Sequence, residues 1–212
     1  IYHYAFITDA TEGLIVVNVD TFSDGEARNN FLQRAATWNE GGVLDGATHI
    51  VLAGHRAFVT TPRGVQVVDV DDPLAPRLLS SIPIADARAS AVQFRYLFVT
   101  SPIGLHVVDI TDAKAPVVLP GSVPLADAQR VYLARTYAYV AAGREGLIIV
   151  DIAKPDAPKV YQRFDADGRL NDARDVIVGS TNASLFAYVA DGVNGLKVVQ
   201  LTAPDTQPRF YG

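Results

Sequence analysis

Four short segments gather the side chains of this chain that could act together chemically. They are Asp45-Gly-Ala-Thr-His49, Asp86-Ala-Arg-Ala89, Asp127-Ala-Gln-Arg130 and Asp172-Ala-Arg-Asp175. Each begins with an acid followed by a small residue, and each runs into a stretch of β-forming residues. If the four stretches lie side by side, His49, Arg88, Arg130, Arg174 and Asp175 meet at one mouth. Two chemistries suit such a group. Arginine forks recognise carboxylates in a bidentate manner, which would make a pocket for an anion or for a partner's acidic side chain. The same residues could instead close a structural ring of Arg–Asp pairs with water, since buried ion pairs often serve geometry. A hydrolase or lyase at this mouth would need a base and a nucleophile, and only His49 and Asp175 present themselves.

Two acidic stretches raise metal binding. Asp165-Ala-Asp-Gly-Arg-Leu-Asn-Asp172 has the look of a calcium loop, but Ca²⁺ needs six to eight oxygens at set offsets. Leu170 stands where an EF-hand requires glycine. Asp165, Asp167, Asn171 and Asp172 are therefore weak ligand candidates, and no metal or other cofactor is expected. Asp20, Asp24, Glu26, Asn29 and Asn30 form the second stretch and read as a solvated insertion or a decorated contact loop. His3, His49, His55 and His106 lack the spacing of a metal site. No Gly-x-Ser-x-Gly elbow, phosphate-binding loop or dinucleotide fingerprint is present. Asn182-Ala-Ser184 is a formal glycosylation acceptor.

The elements that would position these groups are written five times. Gly13-Leu-Ile-Val-Val-Asn-Val, Gly64-Val-Gln-Val-Val-Asp-Val, Gly104-Leu-His-Val-Val-Asp-Ile, Gly146-Leu-Ile-Ile-Val-Asp-Ile and Gly195-Leu-Lys-Val-Val-Gln-Leu recur about 40 to 50 residues apart. Ala5-Phe-Ile-Thr, Ala57-Phe-Val-Thr, Leu97-Phe-Val-Thr, Ala138-Tyr-Val-Ala and Ala187-Tyr-Val-Ala give the strand before each phrase. Asp72-Pro-Leu-Ala-Pro76, Asp112-Ala-Lys-Ala-Pro116 and Lys154-Pro-Asp-Ala-Pro158 give the turn after three of them, where proline fixes φ and removes a donor. One unit thus reads as four short strands, and such units at this period are propeller blades. The glycine before each phrase should hold a positive φ. The acid closing it (Asp69, Asp109 and Asp151, with Asn18 and Gln200 in the outer copies) should accept backbone N–H bonds in the following turn. Only Glu26–Ala36 hints at a helical period.

Composition sets the outer limits. The 212 residues are 49% hydrophobic and 19% charged, with a net charge of −5, enough for a sizeable core and without a basic stripe for nucleic acid. No apolar run approaches the ~20 residues of a membrane span. Cysteine is absent, which excludes disulfides, thiolate catalysis and covalent haem attachment within these residues. Methionine is absent too, and no leader is visible at Ile1. The first copy starts at its second strand, so a segment of a longer polypeptide is expected.

The pattern Gly-Leu-x-Val-Val-Asp-Val/Ile, preceded by Ala-Tyr-Val-Ala and followed by Asp-x-x-x-Pro, resembles the LVIVD repeat of bacterial and archaeal envelope and extracellular proteins. The likeness runs over nearly the whole chain. It departs at the insertion within Asp20–Gly46 and at Gln200. It implies an all-β propeller of four-stranded antiparallel blades, about five here, the first lacking its innermost strand. The blades are expected at 1–44, 45–85, 86–126, 127–170 and 171–212 of one domain, with a fourth strand of the last blade beginning at Pro208. The implied role is a non-enzymatic scaffold for other protein subunits or domains, extracellular, at the cell surface or periplasmic. Nucleic acid and direct membrane insertion are not expected. Asp24, Glu26, Arg28, Asn29, Asn30 and Trp38 are the candidate partner contacts. The alternatives are a hydrolase or lyase at the channel mouth and a calcium- or glycan-binding module.

Overall fold

The computed structural model describes residues 3–181 and 184–202. The strand expected from Pro208 and the acceptor Asn182 lie outside the described residues. Within them the chain forms five antiparallel sheets in sequence order. The first holds β1 (Tyr4–Asp9), β2 (Gly13–Asn18) and β3 (Gln33–Trp38). The second holds β4 (His49–Ala53), β5 (Arg56–Thr61), β6 (Gly64–Asp69) and β7 (Arg77–Ile82). The third holds β8 (Ala89–Gln93), β9 (Tyr96–Ser101) and β10 (Gly104–Asp109), and its outer strand is split into β11 (Val117–Val118) and β12 (Val123–Pro124). The fourth holds β13 (Arg130–Ala134), β14 (Tyr137–Ala141), β15 (Leu147–Asp151) and β16 (Lys159–Phe164). The fifth holds β17 (Asp175–Ser180), β18 (Leu185–Ala190) and β19 (Leu196–Thr202).

Strand order within each sheet follows the chain, so each sheet is an antiparallel meander. The recurrent phrase is the third strand of the unit. β1 pairs with β2 as β5 pairs with β6, so the first sheet begins at the second strand, as the sequence implies. The innermost strands β4, β8, β13 and β17 stand side by side in that order. Three sheets carry a register shift at the same place, Val16/Val17, Val67/Val68 and Ile149/Val150. A bulge there adds local twist to the outer strand. In the third sheet the register also slips, from Leu105↔Val123 to Val108↔Val118, and the outer strand breaks there around Pro120, which cannot donate to the ladder.

The core is not one mass but four slabs, each between consecutive sheets. Phe58, Val65, Val67 and Ile82 of the second sheet pack on Ala87, Leu97, Val99 and Val108 of the third. Phe98, Leu105 and Val107 meet Ala138, Val140, Ile148 and Val150 in the same way. Tyr139, Leu147 and Ile149 meet Val176, Ala187 and Val189, and Leu14 with partly buried Phe6 and Trp38 meets Ala57, Val59 and Val68. Each sheet therefore offers bulky residues on one face and Ala-x-Val on the other. That division explains why the third strand is apolar on both faces.

Turn chemistry holds as expected. Asp69, Asp109, Asp151 and Asn18 each accept the N–H two residues on, at 2.9–3.0 Å. All five glycines ahead of the phrase have positive φ. Two expectations are corrected. Glu26–Ala36 forms no α-helix: Ala27–Asn29 is a single 3₁₀ turn and Gln33–Trp38 is β3. Most of the presumed insertion is ordinary repeat, because β3 is the outer strand of the first sheet, and only about residues 20–32 are additional.

Candidate functional site: the inner mouth

The four inner strands start in equivalent register. The backbone N–H groups of Thr48, Arg88, Gln129 and Arg174 donate to the carbonyls of Thr60, Thr100, Ala141 and Ala190 at 2.8–3.1 Å. The next residues in line are His49, Ala89, Arg130 and Asp175, the first residues of β4, β8, β13 and β17. Two residues before the first three of these N–H groups, the chain turns through a positive φ at Gly46 (76°), Asp86 (53°) and Asp127 (71°). Those N–H groups bind Ala10, Pro62 and Pro102 of the preceding sheet at 2.7–2.9 Å. Each sheet's middle turn thus fixes the next sheet's inner strand, and the mouth is held by backbone contacts across the seams.

The three arginines singled out in the sequence do converge. Arg88, Arg130 and Arg174 line one cavity of about 650 Å³ with Thr48, Asp86 and Gln129. Arg88 lies 2.5 Å from the Asp127 carboxylate and also donates to the Ala128 carbonyl at 3.2 Å. Gln129 donates to the same Asp127 oxygen at 2.9 Å. Burial pushes the Asp127 pKa up, but the bonds from Arg88 and Gln129 and the charges of Arg88 and Arg174 outweigh it and leave it lowered. Arg174 pairs with Asp172 at 2.6 Å, which holds its guanidinium more firmly protonated. Among the described residues Arg130 makes no hydrogen bond or ion pair. A neighbouring cavity of similar size is lined by Asp127, Arg144, Asn171, Asp172 and Arg174.

His49 and Asp175 sit at the same level of the inner strands but are not joined by a hydrogen bond. His49 Nδ1 accepts the Ser90 N–H at 3.3 Å, so the ring proton of the neutral form lies on Nε2. Burial first, and then the charge of Arg130, drag the His49 pKa down to about 4 against the opposing pull of Asp175. His49 is therefore neutral near pH 7. Asp175 accepts the Val176 N–H at 2.8 Å.

The acidic stretches fold onto themselves. Asp24 accepts from the Glu26 N–H and from Asn29 Nδ2, both at 2.8 Å, and these bonds lower its pKa. Glu26 accepts the Arg28 N–H at 3.1 Å, and Asn30 is exposed. Trp38 on β3 pairs with Leu14 of β2 and packs, partly buried, into the first seam. Asp165 accepts the Asp167 N–H, Asn171 donates to the Gly168 carbonyl, and Asp172 is taken by Arg174. Among the described residues no three acids or histidines are grouped to hold a metal ion.

Asp191 escaped the sequence reading. It is fully buried, and its Oδ1 accepts the Asp172 N–H at 2.8 Å while Oδ2 has no partner among the described residues. The signal was present, because buried Thr61 and Ser101 occupy the same place after the second strand.

The sequence of residues 126–166 and 172–204 matches the LVIVD repeat. No curated protein matches the chain. Among solved structures, the computationally designed Ika8 protein is similar, with a TM-score of 0.64 at 13% identity over 94% of this chain and 56% of that one. A functionally unknown protein from Desulfotomaculum acetoxidans gives 0.63 at 13% identity over 92% and 64%. PorZ, a surface component of the type-IX secretion system of Porphyromonas gingivalis, gives 0.54 at 12% identity over 94% and 26%. At such identities the likeness carries the fold, and the chain spans little more than half the length of the first of these.

Proposed function

We propose that this chain, which carries LVIVD repeats on a propeller-like framework, is a protein-interaction scaffold of an extracellular, periplasmic or cell-surface assembly. The observation that carries the reading is the segment between β2 and β3. It departs from the repeat, and Phe22, Phe31 and Leu32 on it are each more than half exposed. Large apolar side chains grouped at a surface mark contact sites. The segment is also ordered by its own bonds: Asp24 gathers Glu26 and Asn29, and Thr21 Oγ1 donates to the Phe31 carbonyl at 3.0 Å. An ordered apolar loop on rigid sheets loses little entropy when a partner binds. PorZ uses a related framework as a bacterial surface component. Among the described residues no helix is long and apolar enough to cross a membrane.

A photo-crosslinking residue placed at Phe22 or Phe31 tests this in the source organism. The expected result is a discrete adduct with one companion protein, lost when Phe31 and Leu32 are both changed to Ser in a folded variant. Absence of any adduct, with the chain recovered as a free monomer, would overturn the reading.

A further inference from the structure

We infer that the inner mouth is a carboxylate-binding site in which Arg130 supplies the charge. The arginines on either side of it are already committed. Arg88 is held by Asp127, and Arg174 by Asp172. Each of those cations already has its acid. Arg130 lines the same cavity and has none among the described residues.

The repeat explains why. At the register of Arg130 the flanking inner strands β8 and β17 place Ala89 on one side and Asp175 on the other. Alanine offers no acceptor. Asp175 is exposed and turns one oxygen to its own neighbour's N–H. His49, one strand beyond Ala89, is within electrostatic range of Arg130 but carries no charge near neutrality. Asp86, the remaining acid on the cavity wall, is exposed and lies beyond ion-pair reach of Arg130. Arg130, partly buried and without an acid partner among the described residues, is thus left lining about 650 Å³ of open cavity in a chain whose net charge is −5.

The class of ligand follows from the charge and from the fork. A single guanidinium without a partner favours a monoanion, and Asp86 on the wall, with Asp127 and Asp172 held by the neighbouring arginines, would repel a dianion. The planar guanidinium matches the two oxygens of a carboxylate. Gln129 and Thr48 supply polar side chains on the wall beside it. The carboxylate could arrive as a small free acid or on a partner's acidic side chain. The site stands independently of the loop described above.

The test follows the Gln129 side-chain amide by NMR while acetate, or N-acetylglutamate amide as a peptide-borne carboxylate, is titrated against chloride at matched ionic strength. Saturable movement with a carboxylate and none with chloride is the expected result. Arg130→Gln should weaken the apparent affinity about tenfold or more. Arg130→Lys, which keeps the charge but loses the fork, should fall between. Tighter binding of the glutamate probe would assign the site to a partner's side chain, and tighter binding of acetate to a free acid. Equal responses to carboxylate and chloride, or an unchanged titration in Arg130→Gln, would overturn the inference.

Discussion

The fourth sheet and the fifth carry the same phrase on opposite sides of one distinction. Leu147 and Ile149 on β15 are 0% and 8% exposed, because the fifth sheet covers them. Leu196 and Val198 occupy the same places on β19 and are 67% and 56% exposed. Ile177 on the inner strand β17 is open as well, whereas its counterpart Tyr132 is packed into the seam. The side chains are nearly identical, so composition does not separate the two faces. The repeat encodes a face that wants a cover, and burial depends on whether the next sheet is there. Stability in this molecule belongs to seams rather than to sheets.

The largest expected effect tests the covered face. Leu147→Ala should cost about 2–5 kcal/mol, the transfer and cavity terms of a fully buried leucine. Phe58→Ala, in the seam between the second and third sheets, should cost about 3–5 kcal/mol by the same reasoning. Chemical denaturation of each variant measures this. Losses below about 1 kcal/mol would mean that the slabs are not the source of stability.

Glycine sharpens the comparison from the backbone side. A Cβ on Gly64 would lie 2.0 Å from the Ile82 carbonyl oxygen, at a φ of +132°. Gly195, the equivalent residue of the fifth sheet, has a φ of +78° and nothing within 4 Å. Gly64→Ala must move backbone and should cost about 2–3 kcal/mol, whereas Gly195→Ala should cost only the left-handed strain of about 1 kcal/mol. Equal losses would show that the close approach at Gly64 relaxes freely.

Much of this was legible in the sequence, for reasons that differ by residue. The glycine phrase, the Ala-x-Val strand and the turn acids are local rules, so the strand order and the turn bonds of Asp69, Asp109 and Asp151 could be read directly. The convergence of Arg88, Arg130 and Arg174 was legible because the inner strands begin alike in each copy, with Arg88 and Arg174 at one place and Arg130 one residue further on. What escaped depends on contacts between copies. The outer strand of the first sheet was obscured because residues 20–32 delay it, and Trp38 on that strand read as a candidate partner contact. The commitment of Arg88 to Asp127 crosses a seam, and no spacing along the chain announces it. The buried Asp191 accepts the Asp172 N–H within the fifth unit, a bond that links two of its turns. The distinction between paired and unpaired arginines, on which the mouth's chemistry turns, needed the structure.

The mouth gives a pH-dependent version of the comparison. His49 titrates near 4 in the folded chain, from an ordinary value of 6.5, mainly through burial. Below pH 6.5 the unfolded chain takes up a proton that the folded chain refuses, so stability rises with pH between about 4 and 6.5 and falls on acidification. The contribution, discounted for partial exposure, is about 2–3 kcal/mol across that window. His49→Gln should flatten the stability profile between pH 6.5 and 4. A profile unchanged by His49→Gln would place the acid sensitivity elsewhere.

The smallest expected effect bears most directly on the open face. Leu196→Ser removes a leucine that is already two-thirds in water, so little transfer free energy is at stake. The loss should be under about 0.5 kcal/mol, against several for Leu147→Ala at the equivalent place. Val198→Ser should behave alike, with a slight further penalty from the weaker β-propensity of serine. Paired denaturation curves of Leu147→Ala and Leu196→Ser, taken at two protein concentrations, decide the matter. If Leu196→Ser costs as much as Leu147→Ala, the face is covered in solution. A concentration dependence of that cost would trace the cover to another molecule, and its absence would trace it to the chain itself. If the cost is negligible at both concentrations, the two sheets differ as the exposures say, and the same phrase stabilises the fold only where a neighbour meets it.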